Sequence, residues 1–286
     1  MSEKSEETIK CRSCGNPVSF HRRTCHVCES DIGFPNVRQA EREEPQLRDR
    51  YASAQASAKA RGITKQLKGF EASFAQSKAV LARSSKQVIE LIGSDNMLIA
   101  TFAKQVRQGA RLAENNSWDR GRESAESAVH PQYSDEIHYA VLSLTSLGAP
   151  YYGNCHIVLT SELIEKRTSL FEENPFLFMN RHQVIAGVRI PEGYRAVWSN
   201  RGMLAVAKLH SKIESTTTDA NYQNILISGD GPEVDFIEAH IYGAIHAKTF
   251  SKITFFGQQS AVDKALLKAH RRKIKELGIE ISEEAA

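Results

Sequence analysis

No stretch of the 286-residue sequence approaches the roughly 18 consecutive apolar residues that cross a bilayer. The N-terminal MSEKSEETIK also lacks the apolar core of a secretion signal. These absences point to a soluble, cytoplasmic protein. Several catalytic signatures are missing too: no glycine-rich phosphate loop, no G-x-G-x-x-G turn, no H-E-x-x-H helix and no G-x-S-x-G elbow. The chain therefore gives no support to P-loop, dinucleotide-fold, zincin or serine-hydrolase chemistry. Aromatic residues make up only 8%, and cysteines number five.

Four of those five cysteines fall within eighteen positions, as Cys11-x2-Cys14-Gly15 and Cys25-x2-Cys28. Such clustering in a reducing compartment signals metal ligation rather than disulfides. Each C-x-x-C can fold as a knuckle that presents two thiolates to one tetrahedral ion, with Gly15 suited to the turn. Residues 9–34 resemble the zinc-ribbon families, which implies a structural Zn2+ held by Cys11, Cys14, Cys25 and Cys28. Four thiolates leave no open position for water or substrate, so catalysis belongs elsewhere. Arg12, Arg22 and Arg23 make the module basic, suited to nucleic acid or to another protein, or simply solvated. Cys155 lies in an apolar run and is expected to be buried.

Net charge is +3, but it is unevenly spread. From Arg50 to Arg111 eleven Lys/Arg face three acids, a net +8, which leaves the remainder at −5. After a charged linker, residues 36–50, apolar positions recur at Leu67, Phe70, Phe74, Leu81, Val88, Leu91 and Ile92, a stripe that predicts a helix. A second helix is expected from Ser94–Asn96, with Leu98, Phe102 and Val106 inward. The stripe suits packing onto the rest of the chain, onto another helix or onto a second copy of the protein. The positive faces suit polyanions through counterion release, and the scarcity of aromatics favours backbone contact over base stacking.

From Ile137 the texture changes to short apolar runs, IHYAVLSL, CHIVLT, QVIAGVRI, YRAVW, MLAVAKL, NILIS, VDFIEAHIYGAI, KITFF and IEIS, separated by LGAP, ENP, PEG, NRG and SGDGP. These read as strands, with an amphipathic helix over Ala261–Leu277 that turns Val262, Leu266, Ala269 and Ile274 inward. The expected fold class is α+β in three segments: residues 1–35, basic helices in 36–130, and a strand-rich domain in 131–286.

Within this domain, Tyr152-Gly153-Asn154-Cys155-His156-Ile157-Val158-Leu159, the run from Glu162 to Lys166-Arg167-Thr168, and Phe236-Ile237-Glu238-Ala239-His240-Ile241-Tyr242-Gly243 resemble an uncharacterised bacterial family. That family carries a YG-x-C strand, an RT turn and a late VEAQ(I/V)HG strand, and it is similar to the ADP-ribosyltransferase fold. In that fold a mid-domain His or Arg, a Tyr or Ser on a neighbouring strand and a late Glu meet in a nicotinamide cleft. The resemblance spans about residues 137–256. It implies NAD as cofactor, Glu238, His138 and Tyr152 as catalytic residues, and His138, Tyr139, Tyr152, Arg167 and Arg181 as cofactor contacts.

Chemistry gives Glu238 independent interest, since a carboxylate inside an apolar strand is costly unless paired or functional. Breaking the nicotinamide–ribose bond develops positive charge that a carboxylate can stabilise. A structural ion pair remains the other reading of Glu238, and core packing the other reading of His138 and Tyr152. Phe236 stands two residues before Glu238, where many such transferases have Gln or Glu, which weighs against arginine- or protein-directed transfer. Two functions follow as expectations: an NAD-dependent transferase acting on nucleic acid or nucleoprotein, as in a toxin or phage-conflict effector, or a non-catalytic zinc-ribbon DNA- or RNA-binding protein. Metal-dependent hydrolysis finds no compact Asp/Glu/His cluster.

Overall fold

The computed structural model describes residues 7–107, 117–149, 152–184, 190–229, 231 and 234–284. The chain opens with strands β1 (Thr8–Lys10) and β2 (Pro17–Ser19), then helices α1 (Pro35–Arg42), α2 (Glu44–Ala60) and α3 (Thr64–Phe74). Next come β3 (Lys78–Arg83), α4 (Ser85–Gly93), β4 (Leu98–Ile99), α5 (Phe102–Arg107), α6 (Ser117–Val129), β5 (Ile137–Ser143), β6 (Cys155–Leu159) and α7 (Ser161–Ile164). They are followed by β7 (Thr168–Phe171), α8 (Pro175–Arg181), β8 (Arg195–Val197), α9 (Arg201–Leu209) and α10 (Asp219–Leu226). The chain closes with β9 (Glu238–Tyr242), β10 (Ile245–His246), β11 (Phe250–Phe256), α11 (Ala261–Ala269), α12 (Arg271–Glu276) and β12 (Glu280–Glu284). No helix among the described residues is long and apolar enough to cross a membrane.

One eight-stranded sheet organises the α+β fold, in the order β12-β11-β6-β3-β5-β9-β7-β8. Only the β11–β12 pair is parallel. Strand alternation sends Ala79, Leu81, Ala140, Leu142, Ala239 and Ile241 to one face, where α2, α3 and α9 cover them with Leu47, Phe70, Phe74 and Leu204. Each fully buried Phe or Leu there contributes about 1.5–3 kcal/mol of transfer free energy. Residues 36–130 and 131–286 thus share one core.

The opposite face carries Val80, Ala82, Tyr139, Val141, Glu238 and His240. Helices α6 and α8 cover its β7 end through Val129, Phe171 and Phe178.

Several expectations are corrected. The helix expected over Leu67–Ile92 is α3–β3–α4. Helix α3 stops at Phe74, and Ser84 caps α4 by accepting from the Gln87 amide at 3.4 Å. Phe74, Leu81 and Val88 are seven apart, which imitates a helical stripe although Leu81 is buried from a strand. In place of the second helix, Leu98–Ile99 pairs with Ile245–His246 and α5 begins at Phe102; the side chains of Phe102 and Val106 and residue Arg111 lie outside the described residues.

MLAVAKL is helix α9, and most of NILIS lies in α10. Ala, Leu, Met and Lys favour helix, and α9 is buried almost all round, so its apolar run imitates a core strand. Ala261–Leu277 breaks at His270 into α11 and α12, and Val262 is 67% exposed and Leu266 40% exposed rather than inward. Most of QVIAGVRI lies outside the described residues. Cys155 is buried as expected.

Candidate functional site

Strands β3, β5 and β9 lie side by side, and above them opens a cavity of about 470 Å3. Arg83 ends β3, Tyr139 and Val141 come from β5, and Glu238 begins β9. Arg122 of α6, Gln87 of α4, Gln105 of α5, Asn174 and the Tyr152–Asn154 segment complete the wall.

Local bonding fixes this wall. Asn154 Oδ1 accepts from the Ser85 amide at 3.1 Å, and its carbonyl accepts from the Phe256 amide at 2.9 Å. Gly153 packs directly on the Arg83 backbone. Tyr152, 39% exposed, meets Phe236 edge-on with ring centroids 6.2 Å apart.

Glu238 is buried at the cavity wall, and burial pushes its carboxyl up to about 8 against the pull of Arg122. Its Oε2 lies 3.0 Å from His240 Nε2. Arg122 pairs at 2.5 Å with Glu126, whose buried carboxyl is also raised. Tyr139 lines the cavity, and its hydroxyl is buried with no hydrogen-bond partner among the described residues; burial raises its pKa well above the usual phenol range. A buried polar group in that position carries a desolvation cost of about 1–3 kcal/mol, which a ligand hydrogen bond would remove.

The sequence-predicted residues separate here. Glu238, Tyr139, Tyr152 and His138 all border the cavity. His138, however, pairs across from Ile241 and is directed by alternation to the face opposite Glu238 and Tyr139. Arg83, the residue after Ala82 at the end of β3, falls on that same face by alternation, and burial first and then Arg83 lower His138 to about 3; both residues still border the cavity. Arg167 and Arg181 do not reach the cavity. Arg167 donates to the Tyr242 carbonyl at 2.5 Å and the Leu163 carbonyl at 3.3 Å, and Arg181 pairs with Glu173 at 2.5 Å. The cationic positions at the cavity are Arg83 and Arg122, neither singled out by the sequence. Arg83 was hidden inside an expected helix, although the Ser84–Ser85 cap signal marks a break there; Arg122 sits on a mostly polar helix outside the apolar runs, whose buried side is marked only by Ala125 and Val129.

No protein-family model matches the sequence, and no curated protein matches it.

The four-cysteine module stands apart from the cavity. The ligand sulfurs of Cys11, Cys14, Cys25 and Cys28 all lie within 4.8 Å of one another, with Cys11–Cys28 and Cys14–Cys25 at 3.7 Å. A zinc ion with bonds of about 2.3 Å would set tetrahedral sulfurs roughly 3.8 Å apart, so the cluster can hold a metal ion such as Zn2+. Each knuckle closes through an amide to its first cysteine carbonyl, Gly15 to Cys11 at 2.9 Å and Glu29 to Cys25 at 3.0 Å. Both closing residues take positive φ, +74° at Gly15 and +57° at Glu29. Arg38 ties the module to α1 by donating to the carbonyls of Phe20, Arg22, Ile32 and Gly33.

The basic segment is dispersed over α2, α3, β3, α4 and α5. Arg50 pairs with Glu172 at 2.6 Å, and Arg61 donates to the carbonyls of His210 and Ile213. Lys59, Lys65, Lys68, Lys78 and Lys86 remain exposed.

Proposed function

We propose that the protein is an NAD-dependent transferase of ADP-ribosyltransferase type that cleaves the nicotinamide–ribose bond in the cavity at Glu238 and passes the ADP-ribosyl group to a nucleic acid. One observation carries this reading: adjacent strands β3, β5 and β9 bring an Arg, a Tyr and a late Glu, namely Arg83, Tyr139 and Glu238, to one cavity. The resemblance calls for a His or Arg, a Tyr and a late Glu and names His138, Tyr152 and Glu238, all of which border this cavity; Arg83, from outside the resembling segment, and Tyr139, named there as a cofactor contact, are the Arg and Tyr proposed for these roles.

The chemistry fits the residues. The positive nicotinamide ring and the oxocarbenium-like charge that follows favour ionisation of a carboxyl held near 8, so Glu238 becomes an anion when the charge it stabilises is present. Arg83 and Arg122 offer guanidinium forks for the pyrophosphate, in place of Arg167 and Arg181. Tyr139 offers its unpartnered hydroxyl to a ribose oxygen, and Tyr152 a ring face to nicotinamide. The zinc held by Cys11, Cys14, Cys25 and Cys28 is structural in this account, as in a zinc ribbon. The module and the exposed lysines hold the polyanionic acceptor, whose ADP-ribosylation would suit a toxin or phage-conflict effector.

Incubation with labelled NAD and a mixed pool of RNA, DNA and protein tests the reading. Label should appear on nucleic acid and vanish with Glu238→Gln. No label on any acceptor at high protein concentration, with no nicotinamide released, would overturn it in favour of a non-catalytic nucleic-acid-binding protein.

A further inference from the structure

Behind Glu238 runs a buried chain of polar side chains that the proposed reaction does not use. Glu238 Oε2 lies 3.0 Å from His240 Nε2, His240 Nδ1 lies 2.6 Å from His130 Nε2, and His130 Nδ1 lies 3.3 Å from the Tyr133 hydroxyl. All four residues are buried, none more than 6% exposed. Asn36 holds β9 in place by donating to the His240 carbonyl at 3.0 Å.

The surroundings disfavour a charged ring. Arg122 and Glu126 approach Glu238 from α6, the Tyr139 ring crosses His240 edge-on at 4.9 Å from β5, and Phe171 meets it at 5.6 Å from β7. From β8 comes the cation of Arg195, itself paired with Glu43 at 3.5 Å. Burial first, and then His240 and Arg195 for His130 and Arg195 alone for His240, push both rings well below the ordinary histidine range.

A neutral imidazole has one N–H and one lone pair. Only one proton fits between His240 Nδ1 and His130 Nε2, so one ring donates to the other, and that choice fixes the remaining contacts. With Glu238 as carboxylate, His240 Nε2–H donates to it, His130 Nε2–H donates to His240 Nδ1, and the Tyr133 hydroxyl donates to His130 Nδ1. With Glu238 as carboxylic acid and its proton on Oε2, every donor reverses: the carboxyl O–H donates to His240 Nε2, His240 Nδ1–H to His130, and His130 Nδ1–H to the Tyr133 oxygen. A proton on Oε1 would instead leave Oε2 an acceptor and the carboxylate-state donors unchanged; the relay requires the acid proton on Oε2, where it faces the imidazole nitrogen, a stronger acceptor than a carboxyl oxygen.

We infer that His240 and His130 are positioning residues that form a two-state relay, locking the charge of Glu238 to a concerted tautomer switch of both rings. Conversion from the acid to the carboxylate arrangement moves one proton along each link and releases one proton in total to water; no ring becomes an imidazolium in either end state. The relay holds the Glu238 carboxyl in one orientation in both charge states, since Oε2 keeps a partner in each. The relay's service to NAD chemistry rests on the proposed function, but its existence does not.

Two-bond proton–nitrogen NMR on the full-length, metal-loaded protein with 15N-histidine, titrated between pH 6 and 9.5, tests this. His240 and His130 should both stay neutral while the protonated nitrogen changes from Nδ1 to Nε2 in both, with one common midpoint shared by the Glu238 carboxyl carbon. In Glu238→Gln, which keeps the shape and removes the titration, neither ring should switch. A doubly protonated His240 beside an ionised Glu238, tautomers that stay fixed while Glu238 titrates, or a His130 switch that survives Glu238→Gln would each overturn the relay. Adding NAD below the midpoint should drive both rings to Nε2–H; rings that switch with pH but ignore NAD would sustain the relay and count against the NAD reading alone.

Discussion

Gly153 lies so close to Arg83 that a Cβ placed on it would stand 2.6 Å from the Arg83 carbonyl oxygen and 2.8 Å from its amide nitrogen. The glycine of the Tyr152-Gly153 pair therefore exists to let the segment before β6 lie flat on the end of β3, where Arg83 enters the cavity. Both contacts are backbone, which cannot swing aside as a flexible side chain could.

Gly153→Ala should displace the end of β3. We expect a loss of about 1–3 kcal/mol of stability from the forced shift and a fall in nicotinamide release larger than the thermal destabilisation explains, measured by calorimetry and by product analysis below the unfolding range. Unchanged turnover would show that Arg83 is not held by this contact.

Tyr139→Phe separates ligand binding from folding. The hydroxyl has no partner among the described residues, so its removal should leave stability within about 1 kcal/mol of the parent or raise it. Affinity for NAD should fall several-fold, read by titration calorimetry. A marked loss of stability would mean that the hydroxyl is bonded within the protein.

The legible and hidden parts of this site follow from how far each signal reaches along the chain. Glu238 was legible because a carboxylate interrupts a short apolar run. The cysteine cluster was legible because all four ligands sit in one short segment. Strand β3 was not: six residues within a helix-rich region carry too little period-2 pattern, and the 74–81–88 spacing imitates a helix. Losing β3 also lost Arg83, and with it the adjacency of three strands that makes the cavity. His130 and Arg122 are recruited by tertiary contact from a polar helix and its following turn, where no local pattern marks them. The burial of α9 erased its amphipathic signature, so it read as a strand.

Stability should fall as pH rises through neutrality, because of Glu238. Its folded pKa, raised by burial to about 8 from 4.5, means that the folded state keeps a proton that the unfolded chain has lost across that window. Each pH unit between about 4.5 and 8 should therefore cost about 1.4 kcal/mol from this group, with the cost constant above it. Glu173, raised to about 7 by burial, adds the same sign over a narrower window. Below about 6.5 the buried His130, His138, His156 and His240, all lowered by burial, carry the opposite sign, so the window is pH 7 to 9: denaturant unfolding there should show a flatter decline in Glu238→Gln than in the parent, and parallel profiles would refute the raised carboxyl.

Removing the metal should unfold the four-cysteine module before the sheet. The small core of Cys11, Val18 and Cys25 cannot offset the entropy of ordering the knuckles without the ion. The protein as isolated should carry one zinc per chain, and chelation should release it with loss of protection at the Gly15 and Glu29 amides in hydrogen exchange, while β5 and β9 amides stay protected. Simultaneous loss in the sheet would show that the module stabilises the whole fold.

The most direct test of the central claim is nicotinamide release from NAD by the purified, metal-loaded protein, compared with Glu238→Gln and with Arg83→Ala. The account predicts measurable release by the parent, release reduced at least a hundredfold in Glu238→Gln with the fold intact, and weakened NAD binding in Arg83→Ala. Equal release by the parent and Glu238→Gln, or none by the parent at saturating NAD and acceptor, would contradict it.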